Sequence, residues 1–150
     1  MEEQHIPYDE IGILARAIAR RVQDKGKITH IIGLARGGLI PATVISYELD
    51  RPLLSYAISS YKGTKKTENL HITQSINFYE LYENNNNLHV LVVDDICDTG
   101  DTMEHLTTKL ALSNIPYTTA CICTKKKHTK WLDHYGVVVP DNKWIVFPWE

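Results

Sequence analysis

Leu91-Val-Val-Asp94-Asp95-Ile-Cys-Asp98-Thr99-Gly100-Asp101-Thr102 is the stretch whose reading decides the architecture. The nearly continuous apolar run from Leu88 to Val93 has the pattern of a centre strand buried on both faces, as in parallel sheets. It runs into two adjacent acids, then a short Thr/Gly loop, then a helix expected from about Thr102 to Leu112. In open parallel sheets ligands bind beyond the carboxyl ends of the strands, which is where such a loop lies. Gly100 permits close backbone approach, and the free N–H groups at a helix start can receive a phosphate. Thr99 and Thr102 add hydroxyl donors. Acids beside a phosphate would repel it unless they hold sugar hydroxyls, bind a divalent metal or accept a proton. An isolated acid pair more often just ends a strand. The order strand, acid pair, loop and helix is what favours a functional reading.

Outward from this stretch, the same alternation repeats. Ile11, Leu14, Ala15, Ile18 and Val22 fall at helical spacing within a helix from about Asp9 to Asp24, followed by Gly26. Thr29 to Ala35 reads as a strand, Arg36-Gly37-Gly38 as a loop and Ile40 to Glu48 as a helix, with Leu53 to Ser59 the next strand. Tyr117 to Cys123, Val137 to Val139 and Trp144 to Phe147 read as further strands. The expected fold is α/β: one domain over residues 1–150, with an open, mostly parallel sheet flanked by helices. Polar, basic and glycine-containing sequence at about residues 61–75 is expected to form a mobile loop with room for a short hairpin.

Composition narrows the partners. The formal net charge of -2 supplies no overall positive field for nucleic acid. No stretch has the apolar length of a membrane span, and the first residues lack the pattern of a signal peptide. Three cysteines, two of them at 121 and 123, suit reduced thiols in the cytosol better than a disulfide framework. The seven histidines show no metal-ligand spacing.

VLVVDDICDTGDT resembles, across its full length, the PRPP-binding signature of the type I phosphoribosyltransferases (PRPP is phosphoribosyl pyrophosphate). The resemblance implies that Asp98, Thr99, Gly100, Asp101 and Thr102 cradle the 5′-phosphate. Asp94 and Asp95 would meet the ribose hydroxyls directly or through Mg2+, with Asp95 nearer the metal. Gly33-Leu-Ala-Arg36-Gly37-Gly38-Leu-Ile-Pro41 is similar to the family's pyrophosphate loop, in which Arg36 and backbone donors such as that of Gly37 meet diphosphate oxygens. Asp141-Asn-Lys-Trp144-Ile145-Val-Phe-Pro148-Trp149 and Lys125 resemble the hood of the bacterial xanthine-guanine and hypoxanthine enzymes. By that likeness Lys125 binds the 6-oxo group, Trp144 stacks on the base and the Ile145 backbone meets its edge.

The subfamily places an arginine in the mobile loop where this chain has Thr67, which leaves Lys65 or Lys66 to reach PRPP. The resemblance further implies Asp98 as the catalytic base and a cytoplasmic homodimer or homotetramer. The products would be GMP, XMP or IMP, with no nucleic-acid or integral membrane contact. The competing expectation is a non-catalytic regulator on the same fold that binds nucleotide and RNA.

Overall fold

The computed structural model describes residues 1–23, 26–62 and 65–150, and side chains among these outside residues 59–69. Its elements follow the chain in the order β1 (Glu2–His5), α1 (Tyr8–Gln23), β2 (His30–Ala35), α2 (Leu39–Leu49), β3 (Leu53–Lys62) and β4 (Lys65–Gln74). They continue as α3 (Phe78–Asn84), β5 (Val90–Cys97), α4 (Asp101–Leu112), β6 (Tyr117–Lys125), a 3₁₀ turn (Lys126–Trp131), β7 (His134–Val139) and β8 (Lys143–Val146).

Among the described residues the main sheet has the order β4-β3-β2-β5-β6-β7. All its pairings are parallel except β3 with β4. From β2 the chain proceeds outward to β3, then crosses back to β5 and continues to β6 and β7. The carboxyl ends of β2 and β5 therefore sit side by side at the switch in strand order, where such sheets open a crevice.

Alternation along the strands feeds two cores. Ile31, Leu91, Val93 and Ile122 join Ile11, Ile18 and Val22 of α1 and Ala42 and Ile45 of α2. Ile32, Val90, Val92 and Tyr56 point the other way, to Phe78 of α3 and Met103, Leu106 and Leu110 of α4. In α1 the buried stripe is Ile11, Ala15, Ile18, Ala19 and Val22, with Asp9 and Glu10 in its first turn and Arg20 and Arg21 in its last. That charge placement suits the helix dipole.

Four segments differ from expectation or go beyond it. β5 continues through Asp94 and Asp95 to Cys97, so the acid pair lies within the strand and not beyond its end. Residues 65–74, expected in a loop with room for a short hairpin, take the hairpin form over ten residues, pairing Ala57 with Gln74 and Ile58 with Ile72. Alternation in this polar segment is too weak to announce a strand, and the pairing with β3 supplies the missing hydrogen bonds. The short helix α3 also went unread. Asn77 caps it, its side chain accepting the Glu80 N–H at 3.0 Å, while Phe78 is the residue it buries.

β1 was likewise not expected. It pairs in parallel with β8, Glu2 opposite Lys143 and His5 opposite Val146, making a small second sheet from the two ends of the chain. Ile6, Ile145 and Phe147 anchor this hood to the α1 side of the core.

Candidate active site

The floor of the site is built by backbone. Gly38 N–H donates to the Leu34 carbonyl at 2.9 Å, so the chain turns immediately after β2 into α2. A Cβ on Gly38 would stand 2.5 Å from the Leu34 carbonyl oxygen and 2.8 Å from that of Val93. A Cβ on Gly37 would collide with the Asp95 carboxylate and stand 3.3 Å from Trp149 Nε1. Glycine at both positions lets the β2–α2 loop lie against the end of β5. The Ala35–Arg36 peptide is cis.

The loop after β5 has its own local logic. Gly100 caps α4 with φ 86°, a left-handed conformation that suits glycine. The Asp101 N–H donates to Thr99 Oγ1 at 3.3 Å. The amides of Thr102 and Met103 have no backbone acceptor among the described residues, so the helix start presents donors with a positive dipole end.

The acid pair is electrostatically frustrated. Asp94 accepts the Asp95 N–H at 2.8 Å, and Asp95 accepts the Ile96 N–H at 2.7 Å. Neither carboxylate forms an ion pair among the described residues. Burial, reinforced by the neighbouring Asp95 charge, pushes the Asp94 carboxyl well above the usual carboxylate range. Burial also raises Asp95, against the amide bonds that favour its charged form. Two half-buried carboxylates side by side need a proton or a cation. No cluster of three or more His, Cys, Asp or Glu side chains suited to a metal occurs among the described residues. That donor set fits Mg2+, which characteristically takes one or two protein carboxylates and completes its shell with water and phosphate oxygens.

The wall opposite the floor is the hood. Lys125, only 5% exposed, ends β6. Its Nζ donates to the carbonyls of Pro140 at 2.7 Å and Lys143 at 2.8 Å. An ammonium has three donors, so one N–H is left for a ligand. Trp144, 52% exposed, faces the cavity from β8, with Ile145 buried beside it. Phe147 and Trp149 stack at 4.8 Å with planes 5° apart. Trp149 thus belongs to the hood's packing, whereas Trp144 is available to a ligand.

One cavity of about 600 Å³ gathers Arg36, Gly37, Asp94, Asp95, Asp98, Thr99, Gly100, Thr102, Lys125, Trp144 and Ile145. Asp101, expected in the phosphate loop, is exposed and lies outside this lining, since as the first residue of α4 it projects from the helix start to solvent. The side chains of Lys65 and Lys66, expected to reach PRPP, lie outside the described residues. Asp141 and Lys143 of the hood segment also line the cavity, though the resemblance assigns them no role, and Lys127 lines it without having been expected there. Only the spacing of Lys127, two residues beyond Lys125, could have suggested it.

The cysteines carry no disulfide: Cys97, Cys121 and Cys123 are free and buried. Burial, chiefly, pushes the Cys123 thiol up to about 12. No helix among the described residues is long and apolar enough to cross a membrane.

Known proteins share this arrangement. The chain matches the phosphoribosyl transferase domain over residues 7–150. It is 30% identical over 149 residues to the xanthine-guanine phosphoribosyltransferase of Idiomarina loihiensis, covering 99% of this chain and 87% of that protein. The purine phosphoribosyltransferase from Pyrococcus horikoshii superposes with a TM-score of 0.80 at 31% identity, covering 100% of this chain and 95% of the other. A hypothetical protein from Neisseria gonorrhoeae, solved with bound ppGpp, superposes with a TM-score of 0.82 at 25% identity, covering 100% of this chain and 91% of the other. Paired acids inside a central strand, a glycine-capped helix start and a parallel sheet that switches order beside them accompany that match, and the chain belongs to the phosphoribosyltransferase family.

Proposed function

We propose that the chain transfers the 5-phosphoribosyl group of PRPP to a 6-oxopurine (xanthine, guanine or hypoxanthine), releasing pyrophosphate and XMP, GMP or IMP. The observation that carries this reading is the meeting of two unlike walls across one cavity. One wall is a loop of phosphate-binding form above an acid pair, and the other is a buried lysine beside an accessible tryptophan. The ppGpp bound by the Neisseria gonorrhoeae protein is consistent with a pocket that takes a guanine nucleotide. The relatives named as xanthine-guanine enzymes support the same substrate class.

In the proposed reaction an imidazole nitrogen of the base forms a bond to the anomeric carbon as the bond to pyrophosphate breaks. Asp98 takes the proton from the other imidazole nitrogen. The loop from Asp98 to Thr102 holds the 5′-phosphate and so orients the sugar. Arg36 and the Gly37 backbone would receive the departing diphosphate, where charge builds in the transition state. Mg2+ held by Asp95 and Asp94 would supply further charge neutralisation to the ribose and diphosphate oxygens. Lys125 donates its remaining N–H to the 6-oxo group. An amino group at that position is a donor, so adenine is refused. Trp144 stacks on the base, and the Ile145 backbone reads its edge. Lys65 or Lys66 would reach PRPP from the hairpin. The reading includes a homodimer or homotetramer in the cytoplasm. A regulator that binds nucleotide and RNA without turnover is the less economical alternative, because it leaves the base-binding wall without a use.

Incubation with PRPP, Mg2+ and separate bases, followed by chromatography of nucleotide and pyrophosphate, tests the proposal. Product is expected with 6-oxopurines and not with adenine, uracil or orotate. Nucleotide binding without product from any base would overturn it in favour of the regulator.

A further inference from the structure

The phosphate loop carries a charge problem of its own. Asp98 and Asp101 flank it, and Glu104 adds a third carboxylate in the first turn of α4. A helix start with open amides attracts a phosphate dianion, but these acids oppose it. Four cationic side chains line the cavity among the described residues: Arg36, Lys125, Lys127 and Lys143. Lys125 is committed to two carbonyls, and Lys143 pairs with Glu2 at 2.6 Å. Arg36 follows β2, on one side of the phosphate loop that follows β5. Lys127 follows β6, on the other side, because β5 lies between β2 and β6 in the sheet.

The 3₁₀ turn that carries Lys127 is docked against the loop. Trp131 Cδ1 and Nε1 would both lie 3.3 Å from a Cβ on Gly100, and His128 Nδ1 would lie 3.8 Å from it. The turn therefore shares a packed boundary with the glycine that caps α4, and its lysine faces the common cavity. Lys127 makes no ion pair or hydrogen bond with any described residue.

Resting on the proposed purine transfer, we infer that Lys127 is a substrate-binding residue that supplies the cation for the 5′-phosphate. It offsets the acids of the loop from the β6 side, while Arg36 serves the diphosphate on the β2 side. Lys127 acts on the phosphate common to PRPP and the product nucleotide, and leaves the base to Lys125 and Trp144.

The test compares GMP with guanosine by titration calorimetry on the wild-type, Lys127→Ala and Lys127→Arg proteins, alongside the KM for PRPP and for guanine. Lys127→Ala should weaken GMP about tenfold or more, the size of a hydrogen bond to a charged group. Guanosine affinity and the KM for guanine should stay within about twofold of wild type, and Lys127→Arg should restore most of the loss, since either side chain carries the charge. The KM for PRPP should rise with the GMP loss, and the GMP loss should shrink as salt is raised. Equal weakening of GMP and guanosine, or no change in either, overturns the assignment. Failure of the parent reading looks different: the wild-type protein itself then makes no nucleotide from any 6-oxopurine.

Discussion

The floor and the hood of the active site are built on opposite plans. The floor is local: two loops, Arg36–Gly38 and Asp98–Gly100, follow directly from β2 and β5, and their donors are backbone amides held by strand and helix. The hood is assembled from distant parts. β1 pairs with β8 across almost the whole chain, and Lys125 ties the turn between Pro140 and Lys143 by two hydrogen bonds. A phosphate is the same in every substrate of such an enzyme and can be met by invariant backbone geometry. A base varies, and reading it needs side chains brought in from elsewhere. The contrast teaches that chemistry and recognition are separable here: floor variants should act on turnover, hood variants on affinity or on hood stability.

Asp98→Asn offers the most severe trial of that separation. With Asp98 as the proposed base, the substitution should lower kcat about 10²–10⁴-fold, with PRPP affinity by calorimetry nearly unchanged. Loss of PRPP binding with turnover intact at saturation would remove Asp98 from the role of base and make it a PRPP-binding residue only.

Trp144→Ala probes the other side. Removing a stacking ring should weaken binding of the base by about 1–3 kcal/mol. The side chain is half exposed, so unfolding in urea should shift by no more than about 0.5 kcal/mol. A large stability loss with unchanged base affinity would make Trp144 part of the packing instead.

The smallest effect is expected at the latch between the chain's two ends. Glu2 meets Lys143 at 2.6 Å with 74% of the Glu2 side chain exposed, so the pair is well screened. Glu2→Gln should change stability by less than about 1 kcal/mol. Hydrogen exchange at the β1–β8 amides would report whether the strand pairing, and not the ion pair, holds the hood.

How far these regions were legible from sequence follows the same division. The strand, acid pair and glycine loop are contiguous, so VLVVDDICDTGDT carried the floor by itself, and Arg36-Gly37-Gly38 added the second loop. α1 was legible from apolar spacing, and α2 and α4 from their place after a strand and a glycine loop, all within a residue or so of their ends. Lys125 and Trp144 became readable only through resemblance to a family, since a lysine within Lys125-Lys126-Lys127 looks like a solvated surface. Burial of that lysine under two carbonyls is a long-range event with no local signature. The pairing of β1 was invisible for the same reason, as Glu2–His5 is polar and exposed along its length and only β8 makes it a strand. β4 shows the limit from the other direction: its residues suit a loop or a short hairpin, and the antiparallel partner decides for the hairpin.

By itself, then, the sequence determined the α/β class, the two glycine loops of the floor and the family of the enzyme, because those features rest on hydrophobic period and on short contiguous motifs. Tertiary structure alone decided that the acid pair sits inside β5, that Asp101 lies outside the cavity lining, and that Lys127 lines the cavity on a turn packed against Gly100 while Lys125 and Lys143 are already engaged. Those outcomes depend on which distant backbone and side-chain groups satisfy one another in space, and local sequence does not encode that pairing.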